Sequence, residues 1–505
     1  MVNIKNEQFI QDKNQFFAQH RVQHISAQIE DVNLLVSNDY KFLLENQITI
    51  EAELTQMFAV LKKEKEKNNE VFWVYCYYCA SLLESFYKAY SHQKNVKHYQ
   101  QLKQQIKDHL LKEKKKQEEE KSFIQYFEQS IIDGFRNLKE APFQISAIRD
   151  FISYSNLCRL YWVFCRLTLT NGFLLAEELQ CIEKIDAILG IHTDVDKIIA
   201  TLEAPNKVLN YFSVGLFLAR FIIDAGLLIR HTFFPTEAEA RITAFERFKY
   251  ELYKRQCNFA NDLVWASINF LTNFNHITNI SVPVAGSITT VFLGFDVSMA
   301  FYKRHLAKQE YLNKNTQYLQ EIGKYKEITQ SRDLTDDEKM QQIMLKKQCE
   351  ELEIDWQTKE ATFYFLAGAA ALLMLGFTSA LIFSPPGIVV SSFFLCVFAS
   401  AMYFSADTYS QYKENSLRLQ LEGQNRVEVD KRSGITRNDF ILTLGKNTLL
   451  PTVLITAFAT YWPVAIVLTA LYIGYQSIHA MMQHKKDTKE TKQLTIDPEN
   501  YYLTA

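Results

Sequence analysis

The feature that most constrains this chain is a long run without a single Asp, Glu, Lys or Arg, from Ala361 to Ala406. It reads ATFYFLAGAAALLMLGFTSALIFSPPGIVVSSFFLCVFASAMYFSA. A helix needs about 20 apolar residues to cross a hydrocarbon core about 30 Å thick. Thr362–Phe383 and Gly387–Tyr403 each approach that length, and Ser384-Pro385-Pro386-Gly387 divides them. Proline lacks the amide N–H and clashes with the turn before it, so this tetrapeptide ends one helix and lets another begin. In lipid every backbone polar group must be bonded within its own segment, which leaves helices as the conformation. The run predicts a transmembrane hairpin with Pro385, Pro386 and Gly387 at its tip.

A second uncharged run, Asn447–His484, contains Pro451 and Trp462-Pro463. It is too long for one untilted span. It forms either one kinked helix or a second hairpin turning at Trp462 and Pro463. Lysine and arginine gather in short loops on one side of a membrane. The 407–446 loop carries Lys413, Arg418, Arg437 and Lys446, and the polar 485–505 tail carries Lys485, Lys486 and Lys489. Only a second hairpin puts both basic segments on the same side, so two hairpins are expected. Inside the loop, Leu417, Leu419 and Leu421, then Val427 and Val429, alternate with polar residues about Gly423. Period-two alternation reads as a small β-hairpin, with a helical continuation as the alternative.

The rest of the chain is read as all-α. Glycine and proline number 15 and 9 in 505 residues, too few for the turns of a β protein. A solvated helical region is expected over 1–130 and a second helical region over 131–207. Val71–Tyr90, VFWVYCYYCASLLESFYKAY, is aromatic, too short and too polar at its end to span, and suits the core of the first region. Tyr154–Thr170 carries Arg159 and Arg166 on one face, which suits a buried amphipathic helix.

Over 208–305 the apolar helices carry charges. Tyr211–Phe234 is long enough to cross a bilayer, yet holds Arg220 and Asp224, four residues apart and able to pair along one face. Asp296 sits within a further apolar run, Ile280–Tyr302, read as another span. Charges that persist at membrane depth face a bundle interior or an aqueous path. They therefore line an ion or proton route or fix helix register as buried ion pairs, and the second role is the commoner. Between these runs Phe245, Phe248, Leu252, Phe259 and Leu263 recur at helical spacing, the pattern of a packing face.

Three segments, HTFFPTEAEARITAFERFKYELYKRQCNFANDLVWASINFLTNF (231–274), GFDVSMAFYKRH (294–305) and ELEIDWQTKEATFYF (351–365), carry a resemblance to a family. They resemble uncharacterised multi-pass membrane proteins of intracellular bacteria of the Legionella and Coxiella type, over about 205–415. The resemblance implies a bacterial inner membrane or, for an exported effector, a host organelle membrane. It brings no catalytic residue with it.

Residues 306–360 are polar with a sparse apolar stripe. Thr335-Asp-Asp-Glu338 is a capping-box pattern that starts a helix running without Gly or Pro to Ala367. The helix before it, rising from the Asp296 segment, completes an antiparallel two-helix stalk rooted in lipid.

Other signals are weak. Cys76-Tyr-Tyr-Cys79 stands without a second pair, and His20 and His24 have no third ligand, so neither predicts a metal. The eight cysteines have no framework spacing and read as small hydrophobes in a reducing compartment. The N-terminus lacks the apolar core of a secretory signal peptide. KKEKEK (62–67) and KEKKKQEEEK (112–121) interleave both signs, and the formal net charge is −2, so nucleic acid is not an expected partner. No HExxH, GxSxG, Walker or GxGxxG motif occurs in a fitting context, and no cofactor is expected. Gly376 and Ala380 form a small-xxx-small pair that allows self-association into a homo-oligomer. The expectation is an integral membrane scaffold that meets lipid along its spans and a protein partner along its stalk and N-terminal region. The alternative is a helical channel or transporter using Arg220, Asp224 and Asp296.

Overall fold

A computed structural model describes residues 2–19, 39–63, 70–90, 92–111, 173–203, 206–382, 386–421 and 434–449, with a few isolated positions besides. Tyr154–Arg166, His20, His24 and most of the 447–484 run, with Trp462 and Pro463, lie outside the described residues. Among the described residues every regular element is helical.

The first unit packs α1 (Val2–Gln19), α2 (Tyr40–Lys63), α3 (Glu70–Ala89) and α4 (Gln93–Leu111). Helix α3 is apolar on nearly every face, and a helix of that kind has to be surrounded. Its burial runs from Phe72 through Leu83 to Tyr87. Rings fill the space around it: Phe16 stacks on Tyr78 at 5.0 Å and Tyr87 on Tyr99 at 5.7 Å. Offset aromatic pairs of this kind contribute beyond their area, by about 1 kcal/mol each. Cys76 and Cys79 lie inside this core, and burial pushes the Cys79 thiol up to about 12. They serve as packing groups rather than as reactive thiols.

Two short helices follow, α5 (Cys181–Leu189) and α6 (Val195–Glu203), around Phe173, Ala176, Ile182 and Val195. Gly190 closes α5 with φ 65°, the left-handed conformation in which glycine carries no Cβ penalty. Helices α7 (Asn206–Phe233) and α8 (Ala244–Asn273) form an antiparallel pair, and a capping box of Thr243 with Glu246 starts α8.

After the one-turn α9 (Asn275–Thr278) come the longest elements, α10 (Val282–Ser331) and α11 (Asp336–Ile382). Arg304 bonds Glu360, Tyr311 bonds Glu353, Gln348 donates to Tyr318, and Tyr325 bonds Gln341. These pairings descend on one helix as they rise on the other, so the two are antiparallel. Glu338 accepts the Thr335 N–H at 2.8 Å and its own N–H donates to Thr335 Oγ1 at 3.3 Å, which is the capping box read from the sequence. Both helices are long and apolar enough, by length and composition, to cross a membrane at the ends away from this turn.

Helix α12 (Pro386–Phe404) runs back along α11. A Cβ placed on Gly376 would stand 2.5 Å from Cys396 Sγ and 3.0 Å from the Ser392 carbonyl. That glycine is therefore used within the chain, to bring α11 and α12 together, and not on a face free for self-association. Helix α13 (Ala406–Leu421) contains Leu417, Leu419 and Leu421, which corrects the expected first arm of a β-hairpin. Arg418 fixes the helical reading, since it bonds Glu414 one turn earlier at 2.7 Å and Glu351 of α11 at 2.7 Å. The expected second arm, Val427 and Val429, lies outside the described residues. A further helix, α14, covers 434–449.

Candidate functional site: two buried charge networks

The first network joins the N-terminal unit to the stalk. Glu53 of α2 is fully buried, with the Lys13 ammonium 2.8 Å from Oε1 and the Lys314 ammonium 2.5 Å from Oε2. Tyr318 donates to Oε2 at 3.0 Å and Gln348 to Oε1 at 3.1 Å. Lys13 also meets Glu321 at 3.0 Å. Burial alone would raise the Glu53 pKa, and the Lys13 and Lys314 ammonium groups outweigh it and hold the carboxyl well below its ordinary range. Helices α1, α2, α10 and α11 thus meet on one carboxylate. A small cleft lined by Lys13, Phe17, Met57, Glu321 and Gln348 opens beside it.

Two residues earlier on α2, Glu51 behaves differently. It accepts hydrogen bonds from Gln47 and Tyr87, each at 2.9 Å. No cation touches it closely, so burial dominates and pushes its carboxyl up to about 7, against the bonds from Gln47 and Tyr87 and the field of Lys254.

The second network lies between α7 and α8 and contains two of the residues singled out from the sequence. In the described ion pairs Arg220 and Asp224 meet residues of α8 rather than each other. Arg220 Nε stands 3.3 Å from Asp262 Oδ2, and Asp224 Oδ1 stands 3.6 Å from Arg255 Nε, so both reach across to α8. The correction has a simple cause. Residues four apart share a face, and that whole face is turned onto a helix that carries the opposite charges at matching heights. Arg255 also pairs with Glu251, which accepts the Tyr90 hydroxyl at 2.9 Å. At the hairpin bend, Arg247 donates to the carbonyls of His231 at 2.9 Å and Thr232 at 2.8 Å and to those of Glu239 and Ile242. Asp296 of α10 joins from the side, accepting the Trp265 indole N–H at 2.9 Å. Arg220, Asp224 and Asp296 therefore converge on α8, each on its own partner.

The faces of α8 are reversed from the expected arrangement. Arg247, Glu251, Arg255 and Asp262 are buried, while Phe245 is 64% exposed and Leu252 and Leu263 also point outward. Of the stripe read as a packing face these three point outward, while Phe248 and Phe259 are half-buried and Phe259 meets Phe221 of α7 edge-on at 5.5 Å. Helix α7 matches it, with Asp224 buried and Tyr211, Leu218, Ile222 and Ile229 exposed along one stripe. Glu53, Lys13, Arg255 and Asp262 were not singled out from the sequence. A signal existed for the last two, because Arg247, Glu251, Arg255 and Asp262 recur at helical spacing on the face beside the aromatic stripe.

Among the described residues no three or more His, Cys, Asp or Glu side chains are grouped to hold a metal ion. The Cys76–Cys79 pair has no acidic or imidazole companion within a ligating group. No family model, curated protein or solved structure matches the chain.

Proposed function

We propose that this protein is a multi-pass membrane scaffold, anchored through the apolar ends of α10, α11 and α12, that presents a rigid helical unit outside the bilayer. The observation that carries the reading is the continuity of α10 and α11. Each runs unbroken from an apolar end into the polar stalk on which the N-terminal unit is locked through Glu53. A hinge-free connection of this kind fixes the unit relative to the membrane. The outward apolar and inward charged faces of α7 and α8 add support, since lipid and water sort side chains in opposite directions. Asp262 faces Arg220, Trp265 faces Asp296, and Gly294 lies beside Met374, which sets the exposed Leu218 and Leu263 level with the apolar ends of α10 and α11. On the stalk, Leu312 and Leu319 are exposed seven residues apart, a strip suited to a helical protein partner. The setting implied by the resemblance is the bacterial inner membrane or, for an exported chain, a host organelle membrane.

The test is extraction and topology. The protein should stay with membranes in alkaline carbonate and leave only with detergent. Single cysteines introduced at Ser331 and Ser384 should label from opposite sides. Release by carbonate, or labelling of both from one side in intact vesicles, overturns the reading.

A second reading, a channel or transporter, draws on the convergence of Arg220, Asp224 and Asp296 around α8. It requires ion flux in proteoliposomes that Asp224→Asn or Asp296→Asn abolishes. Flux unchanged by both substitutions removes it.

A further inference from the structure

Helix 434–449, GITRNDFILTLGKNTL, was expected from the sequence to be polar loop as far as Lys446 and the start of the second hairpin from Asn447, and nothing in the scaffold reading gives it a task. Phe440 anchors its inner face. That ring stacks parallel to Tyr412 at 6.0 Å, and meets Tyr409 edge-on at 5.3 Å and Phe365 at 5.9 Å. Phe365 and Tyr409 stack on each other at 4.2 Å. The location of this ring cluster matters. Phe365 lies just inside the start of the charge-free run that begins at Ala361, and Tyr409 lies just past its end at Ala406. The cluster therefore marks the level at which α11 and α12 change from apolar to polar. Aromatic side chains, and tyrosine among them, concentrate at that level in membrane proteins because their rings are apolar and their tips wet.

The opposite face of the helix is bare. Ile435, Leu442 and Leu449 recur every seven residues and are 53%, 69% and 62% exposed. At 100° per residue they form one stripe, roughly half a turn away from Phe440. Asn438 and Lys446 border the stripe, Asp439 lies just beyond, and Arg437 is on the Phe440 side. In water such a stripe would cost about 25 cal/mol for each Å² of apolar surface left uncovered. An amphipathic helix docked at the apolar–polar boundary of a bundle, with Lys446 beside its apolar stripe, meets the requirements of an interfacial membrane helix.

We propose that helix 434–449 lies against the bilayer, with the Ile435–Leu442–Leu449 stripe in lipid at the membrane boundary and the Phe440 cluster as its mount. The occupant is lipid rather than a second copy or a partner protein, because the mount continues the edge of the charge-free run. The inference rests on the membrane reading of α11 and α12, and its test separates the two.

The experiment uses the full chain with one added tryptophan, reconstituted in phosphatidylcholine–phosphatidylglycerol vesicles with and without brominated acyl chains. Bromine quenches indole only at close range, and the signal of the parent protein is subtracted. Leu442→Trp should show excess quenching of at least twofold, and Ile435→Trp should behave alike. Phe398→Trp, on the exposed side of α12, reports the hairpin itself, and Leu319→Trp on the stalk reports water. Quenching at 398 without quenching at 435 and 442 overturns this inference and leaves the membrane reading intact. Loss of quenching at 398 as well overturns both. Equal quenching at 319 shows a collapsed or misinserted protein rather than a boundary helix, and counts against the inference. Phe440→Ala supplies an independent measure, since loss of the mount should weaken the quenching at 442 and leave that at 398 unchanged.

Discussion

The N-terminal unit and the α7–α8 pair sort their side chains in opposite ways. In α3, tyrosines, phenylalanines and leucines are inside, and the charged residues that flank them, Glu70 and Lys88, stand at its ends. In α8 the buried stripe is Arg247, Glu251, Arg255 and Asp262, while Phe245, Leu252 and Leu263 are outside. The same forces produce both arrangements. Where the surroundings are water, burying rings yields about 1.5–3 kcal/mol per large side chain. Where the surroundings are lipid, apolar side chains gain nothing by leaving them, and polar groups find partners only inside. On the membrane reading proposed above, the difference between the two regions reflects water outside one and lipid outside the other.

The comparison can be broken or sharpened by substitution. The largest effect belongs to Glu53→Ala. It leaves the Lys13 and Lys314 ammonium groups buried without their shared carboxylate, and uncompensated buried charge costs about 3–5 kcal/mol. Thermal unfolding of the detergent-solubilised protein, followed by near-ultraviolet circular dichroism, should show the N-terminal unit melting far earlier. An unchanged melt would mean that the unit is not held to the stalk through Glu53.

Glu51→Gln comes next and has a pH signature. The native carboxyl titrates at about 7, against an ordinary value of 4.5 in the unfolded chain. The folded state therefore binds more protons between those values, and stability falls as pH rises from 4.5 through 7. The difference amounts to roughly 3 kcal/mol at pH 8, where burial of the charge is fully felt. Glutamine keeps an acceptor for Gln47 and Tyr87 and carries no charge. The variant should melt higher than the parent at pH 8 and alike at pH 4.5. A melt that tracks the parent at both pH values refutes the assignment.

A smaller loss is expected from Asp262→Ala, because Arg220 retains some exposure to its surroundings. An unmade charged bond of this kind costs about 1–3 kcal/mol. The effect should grow in Asp262→Ala paired with intact Arg220 and shrink when Arg220→Ala is added, which a double-mutant cycle of melts measures. The smallest effect is predicted for Ile222→Ala on the outer face of α7. In micelles it should change stability by no more than about 0.5 kcal/mol, the range for side chains that pack on nothing. A loss of about 2–5 kcal/mol, the cost of a core truncation, would place Ile222 inside a protein core and remove the contrast.

Much of the fold was legible in the residues. The proline break in the charge-free run divides α11 from α12, the Thr335–Glu338 box starts α11, and the apolar ring of α3 marks a core helix. The candidate site was legible only in part. Arg220, Asp224 and Asp296 stood out because charge within an apolar run is rare. Their partners Arg255 and Asp262 sit in a segment where charge is ordinary, so only their helical spacing with Arg247 and Glu251 marked them. Lys13, Glu53 and Lys314 lie in separate solvated-looking helices, and no local pattern announces a meeting between residues so distant in sequence.

Sequence by itself determined where helices form and stop, since periodicity, caps and prolines act within a few residues of each other. It also determined which stretches have no charge, and hence which could meet lipid. Only the tertiary structure decided which face of α8 is the inner one, because an aromatic stripe and a charged stripe side by side satisfy helix geometry whichever of them is turned inward. It decided too that Arg220 and Asp224 pair across a helix interface rather than along one helix, and that Leu417 to Leu421 continue a helix rather than begin a strand. Those outcomes depend on what each face meets, and a face meets its partner only after the chain has folded.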